Sequence, residues 1–259
     1  MHVRAEDSGF VRTVWIEDGD RRNALSARLL GEFLDELRRA EADGVRVLIV
    51  RAAPVSGVWS AGHDIEELPH GERDPLTWDN PLEAALRHIR DAPFPVIAAV
   101  DGSVWGGACD VVFTCDLVVA VRTATFAITP ARLGIPYNTA GVSHFLSALP
   151  LHVAKEMFFT AEPLTAERAA DFGVVNRLVG DTDEMIASAQ SLAERIASLA
   201  PLAIRAIKAE MAALTDARML TSDTFEELNL HRTRAWTSRD YAEGLAAFYE
   251  RRAPEFTGE

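Results

Sequence analysis

The sequence predicts an α/β body over residues 1–198 and a helical C-terminal unit over 199–259. Short branched runs, VRVLIV at 45–50, VIAAV at 96–100 and DLVVA at 116–120, read as strands buried on both faces. Segments with apolar residues at helical spacing separate them. From Pro201 to Arg252 the pattern is helical almost throughout. Strands interleaved with helices, then helix alone, indicate one α/β core with a helical appendage.

Residues 10–16 alternate bulky and polar side chains, as a half-buried strand does. Ser26 is the expected N-cap of a helix whose apolar face carries Leu29, Leu30, Phe33, Leu37 and Ala40. Residues 54–68 read as a loop ending in a helical turn, and 70–81 as a polar, exposed segment. Helical spacing returns over 82–90. After DLVVA, residues 125–128 suggest a further short strand. Helices are expected over 152–159 and 165–172, the latter ending at Gly173 as its C′ residue. A last strand is expected over 174–178, and a helix over 183–198.

Composition narrows the function. A hydrophobic fraction of 48% with 25% charged residues is that of a soluble globular protein. The net charge of −13, without a basic run, argues against nucleic acid and anionic membrane as partners. An anionic small molecule would need a few local arginines. The N-terminus lacks the pattern of a signal peptide, and no apolar run reaches the roughly 18 residues of a spanning helix. The two cysteines, Cys109 and Cys115, are placed as buried thiols of a reducing compartment, so the expected location is the cytoplasm.

Gly106 and Gly107 follow an apolar run and stand at the expected start of a helix in DGSVWGGACDVVFTCD, residues 101–116. Paired glycines let backbone N–H groups approach a ligand without a Cβ in the way. A helix N-terminus adds unpaired donors and partial positive charge. Such a site suits a developing oxyanion if a second donor joins it, and WSAGHDIEEL at 59–68 is the natural source. A metal reading of His63, Asp64, Glu66, Glu67 and His70 is weak, because the spacing fits no compact tetrahedral site. G-x-S-x-G, G-x-G-x-x-G, P-loop and H-E-x-x-H signatures are absent.

SAGHDI at 60–65, GSVWGGACD at 102–110 and NALS at 23–26 together resemble the signature segments of the enoyl-CoA hydratase/isomerase, or crotonase, superfamily. The resemblance runs essentially end to end. SAGHDI-x-ELP at 60–69, RDPL at 73–76, TP-x-x-LG-x-PYN at 129–138, APLAI at 200–204 and SxDYxEG at 238–244 are most similar to a subgroup that decarboxylates methylmalonyl-CoA to propionyl-CoA and CO2.

The resemblance implies a spiral of ββα units, a C-terminal helical region used in trimerisation, and a homotrimer or dimer of trimers. It implies an acyl-CoA thioester as substrate, with no cofactor because CoA is part of that substrate. The backbone N–H groups of His63 and Gly107 would be the two oxyanion donors, with Gly106 beside them. Ala61, Gly62, Asp64 and Ile65 would line the CoA path, Ala24 and Leu25 would lie near the adenine end, and Arg251 would contact CoA.

Decarboxylation leaves charge on the thioester oxygen as an enolate, and two preorganised donors would stabilise it. The departing carboxylate must stand out of the thioester plane, a positioning task assigned to Thr129 and Tyr137. Each has a plainer alternative: Tyr137 covering a turn, Thr129 serving as a turn hydroxyl before Pro130. The His63 ring is expected to be incidental to its N–H, and Trp105 to form a pocket wall.

Asp110 departs from the family pattern, whose hydratases carry Glu there and a second Glu on the following loop. Here Pro130 occupies the second position, which disfavours hydration. The subgroup too resembles a Glu-bearing pattern at 110, so Asp110 is placed among the catalytic residues without assigning the proton donor to the enolate; its plainer alternative is a polar helix-face residue near the pocket. Alternative functions are an enoyl-CoA hydratase or isomerase, and an acyl-CoA-binding protein without chemistry.

Overall fold

The computed structural model describes residues 1–68, 80–215, 229–231 and 233–258. The expected exposed segment at 70–81 and the RDPL motif therefore lie mostly or wholly outside the described residues, as does His70.

The described strands form two sheets. In the larger, β1 (Val3–Ser8) pairs antiparallel with β2 (Val11–Ile16). Then β3 (Val47–Ala52), β5 (Val96–Val100), β7 (Leu117–Val121) and β10 (Arg177–Val179) follow in parallel. The smaller has the order β4 (Val58–Ser60), β6 (Ser103–Trp105), β8 (Thr125–Ala127) and β9 (Leu164–Thr165). Every residue of β5 is buried, which explains the unbroken apolar run at that parallel position.

Three successive segments each give a strand to the large sheet, a strand to the small sheet and then a helix. They are β3–β4–α2 (Pro81–Asp91), β5–β6–α3 (Gly107–Thr114) and β7–β8–α4 (Thr139–Ala148). This is the ββα winding that the resemblance implies. Helices α2 and α4 both pack on α3, which is buried from Gly107 to Phe113. Residues far apart in sequence therefore meet around one short helix.

Helix α1 (Ala27–Ala42) begins where Ser26 Oγ accepts from the N–H of Leu29 at 3.2 Å, and its expected apolar face is buried. Replacing Ser26 with Ala removes this cap, and urea unfolding should report a loss of about 1 kcal/mol. α1 is also tied to β2 through Arg12, buried, whose guanidinium reaches Glu36 at 2.9 Å.

Helices α5 (Leu151–Thr160), α6 (Ala166–Asp171) and α7 (Thr182–Ala197) match the expected segments closely. The strand expected at 174–178 begins later, at Arg177. The N–H groups of Val174 and Val175 instead close the turn after α6 on the Ala169 carbonyl, at 2.9 and 3.3 Å. Cys109 and Cys115 are free and buried.

Helix α8 (Pro201–Thr215) buries none of its residues and exposes Leu202, Ile207, Met211 and Leu214. Helix α9 (Arg239–Glu250) behaves differently. Tyr241 and Leu245 join Trp236, Ile135 and Leu68 in a second apolar cluster, packed against Ile65 and Leu133. The tail thus closes over the core at the place where the glycine-bearing loops lie. No described helix is long and apolar enough to cross a membrane.

Candidate active site

The 23–26 and 60–65 motifs are knitted together by backbone. Asn23 is fully buried, and its amide donates to the carbonyls of Ala53 and Trp59, each at 3.0 Å. Ser60 Oγ returns a bond to the Asn23 carbonyl at 2.6 Å. Leu25 and His63 then form a parallel bridge, with Leu25 N–H donating to Gly62 O at 2.7 Å and Asp64 N–H to Leu25 O at 3.4 Å. In such a pairing the bonds to Leu25 use the residues flanking His63, so the N–H of His63 itself points away from that strand.

Gly62 lets this loop approach the second one. Its φ is +86°, and a Cβ there would collide with the carbonyl of Trp105. Gly106 has φ +52° and ψ −125°, a conformation open to glycine, and turns the chain into α3. Its N–H is spent on Ala127 O at 2.8 Å, which leaves Gly107 N–H as the free donor at the helix start. Neither His63 N–H nor Gly107 N–H has an acceptor among the described residues. His63 N lies 3.8 Å from where a Gly107 Cβ would stand, so the two donors border one point.

They open onto a cavity walled by Ile65, Leu68, Leu82, Thr129, Pro130 and Trp236, with Glu83, Asp110, Tyr137 and Asn138 as its polar side. The wall is largely apolar, as a site for an acyl group should be. Burial lowers the affinity of the His63 imidazole for protons, and its Nδ1 has no partner among the described residues, so the ring is neutral at pH 7. Thr129 makes no capping bond in the turn it precedes. Thr129 is half-buried and borders the cavity.

Tyr137 does more than cover a turn. Its hydroxyl donates to Asp110 Oδ2 at 3.2 Å, and its ring packs edge-on against Phe145 and Phe158. Burial, followed by the nearby Asp110 charge, raises its pKa well above the ordinary phenol value, so it remains a neutral donor. The other oxygen of Asp110 lies 2.8 Å from His144 Nδ1. Burial pulls the His144 imidazole down, but its bond to Asp110 and the charges of Asp110 and Glu83 outweigh that, and the net shift is upward. Asp110 is thus a buried hub rather than a polar residue on a solvated helix face.

Glu83 corrects the expectation that the pocket lacks a second carboxylate. It projects from α2, not from the loop at Pro130, and Asn138 donates to its Oε1. Asn138 also caps α4, accepting from Gly141 N at 2.6 Å. Burial raises the pKa of Glu83, which makes its carboxylate a stronger base than a solvated one. Neither Glu83 nor His144 carries a motif signal; packing of α2 and α4 on α3 brings them in.

A groove leads outward from this cavity and shares Ala61, His63 and Ile65 with it. Arg21, Ala24, Asp64, Tyr249 and Arg251 line its outer part. Asp64 is held by Arg21 at 2.5 Å and caps the next turn through Glu66 N at 3.1 Å. Leu25 and Gly62, expected along the CoA path, line neither the groove nor the cavity: Leu25 sends its side chain into the core, and its backbone bond to Gly62 joins the two loops. Trp105, expected as a pocket wall, is instead outside the cavity lining, with its indole N–H on Ser103 Oγ at 3.0 Å. Among the described residues no three His, Cys, Asp or Glu side chains converge on a metal position.

Comparisons with known proteins place the whole chain beside CoA-thioester enzymes. The profile of the enoyl-CoA hydratase/isomerase family matches residues 6–259. Methylmalonyl-CoA decarboxylase of Escherichia coli (strain K12) is 42% identical over 240 residues, covering 93% of this chain and 92% of that protein. Carnitinyl-CoA dehydratase of Proteus mirabilis (strain HI4320) is 31% identical over 250 residues, covering 94% of each. Among solved structures, methylmalonyl-CoA decarboxylase in complex with 2-nitronate-propionyl-CoA superposes with a TM-score of 0.97 at 39% identity, covering 100% of this chain and 99% of that one. The chain belongs to the enoyl-CoA hydratase/isomerase family.

Proposed function

We propose that the protein decarboxylates methylmalonyl-CoA to propionyl-CoA and CO2. The observation that carries this reading is the pair of N–H groups, His63 and Gly107, that have no acceptor among the described residues and border a largely apolar cavity. They serve as an oxyanion hole for the thioester oxygen. The bond between C2 and the carboxylate breaks, its electron pair enters the enolate, and CO2 departs. Each donor is worth about 2.7–4 kcal/mol to a charge that develops in the transition state.

Thr129 and Tyr137 orient the departing carboxylate from the polar side of the cavity, the Tyr137 hydroxyl swinging its one proton from Asp110 to the substrate while the carboxylate is bound and back once CO2 has left. Arg21 and Arg251 suit the CoA phosphates in the groove, supplying positive charge to an acidic protein. The reaction so drawn needs no metal or organic cofactor. Leu202 and Leu214, the most exposed apolar residues of α8, support association into a homotrimer or a dimer of trimers. Two free buried thiols are consistent with the cytoplasm.

A second reading, enoyl-CoA hydration or isomerisation, draws support from Glu83 and Asp110 sharing one cavity. Methylmalonyl-, ethylmalonyl-, malonyl- and crotonyl-CoA assayed side by side decide between them. Methylmalonyl-CoA should have the highest kcat/KM, with CO2 and propionyl-CoA in equal amounts. Faster crotonyl-CoA turnover would favour the hydratase, and binding of all four without turnover would leave an acyl-CoA-binding protein. A single methylene shifts pocket binding by only ~1–3 kcal/mol, so the malonyl series should grade rather than switch.

A further inference from the structure

Decarboxylation consumes one proton at C2 per turnover, and a bound thioester occupies the cavity and the groove that reaches it. A proton source off that path is therefore valuable. Asp110 lies in the cavity wall. His144, bonded to it, lies in the wall of a different cleft of about 540 Å3, bounded by Thr114, Asp116, Ser147, Ile204 and Lys208. A liquid water takes about 30 Å3, so this cleft has room for a chain of several. One hydrogen bond of 2.8 Å thus spans from cleft to cavity.

Resting on the decarboxylase reading, we infer that His144 is the positioning residue that supplies the enolate with its proton through Asp110, drawing on water in the second cleft. The imidazolium passes its Nδ1 proton to the Asp110 carboxylate. That carboxyl group gives the proton to C2, closing the enolate to propionyl-CoA, and the neutral imidazole is recharged from water. Tyr137, bonded to Oδ2, keeps the carboxyl in place and stays a phenol. The groups facing His144 are Asp110 on α3 and Glu83 and Arg90 on α2, with Asp116 and Lys208 paired across the cleft. The upward shift of His144 keeps it charged to higher pH than an ordinary imidazole. Lys208 is committed to Asp116 and to the carbonyls of Ile89 and Phe94, which leaves His144 as the titrating group of this wall that bonds Asp110.

The test runs the last step backwards. In deuterium oxide the protein should exchange the C2 protons of propionyl-CoA, read by mass spectrometry. His144→Gln should exchange at least about tenfold more slowly while KM for methylmalonyl-CoA stays unchanged. His144→Ala should be slow as well, and millimolar imidazole should restore part of its rate by entering the cleft. Exchange by His144→Gln at the wild-type rate, or an alanine variant indifferent to imidazole, overturns the relay. Wild-type exchange without CO2 release from methylmalonyl-CoA would instead overturn the decarboxylase reading and leave the relay standing.

Discussion

Gly62→Ala should lower kcat for methylmalonyl-CoA by about 10²–10³, the cost of losing one oxyanion donor. Gly62 touches no part of the reaction itself. It accepts from Leu25 N–H through its carbonyl and lies flat against the Trp105 carbonyl at φ +86°. A methyl group would be strained in that conformation and would push the 60–65 loop away from the 102–107 loop. His63 N–H rides on the first loop and Gly107 N–H on the second, so their separation would grow. The rest of the fold does not depend on this contact: the sheets and α3 are anchored elsewhere. Circular dichroism of the variant should match wild type, and kcat measured on the folded protein isolates the loss of the donor.

Tyr137→Phe is the second large effect expected, a fall in kcat of about 10–100-fold with KM little changed. Phenylalanine keeps the edge-on packing on Phe145 and Phe158, so the ring stays in place. Only the hydroxyl goes, and with it the donor to Asp110 Oδ2. The substrate carboxylate loses an orienting group, and Asp110 keeps His144 and Thr114 as its side-chain partners. An interaction made mainly in the transition state lowers kcat and kcat/KM together. Steady-state kinetics of the two proteins checks this, and a kcat within about twofold of wild type would reduce Tyr137 to a packing residue.

Much of this was legible in the residues, and the legible parts share a cause. The Ser26 cap, the buried β5 run and the glycine pair before α3 are local signals, decided by neighbours within a few positions. β1 escaped because five of its six residues are exposed, which leaves no alternation to read. β4 escaped because three residues are too few for a period, although Ser60 on it ties the 23–26 loop to the 60–65 loop. The donors His63 and Gly107 came from motifs. Glu83 and His144 did not, since they reach Asp110 across 27 and 34 positions by packing of α2 and α4 on α3. Pro130 removes a carboxylate from one loop, as the sequence indicates, but a loop motif cannot register the carboxylate that α2 supplies at Glu83.

The helical tail is the other instructive case. Unbroken helical spacing marked it as a separate unit, yet Trp236 borders the cavity, and Phe248, Tyr249 and Arg251 border the groove. A helical period records which face is apolar but not what the face covers.

The central claim is that His63 N–H and Gly107 N–H together hold the thioester oxygen. Infrared difference spectra of propionyl-CoA bound to the protein, with the thioester carbonyl carrying carbon-13 in one sample, read that hydrogen bonding directly. Two preorganised donors weaken the C=O bond, so the stretch of the bound thioester should fall below its position in water and move back up in Gly62→Ala. A bound carbonyl that absorbs at or above its frequency in water would contradict the claim.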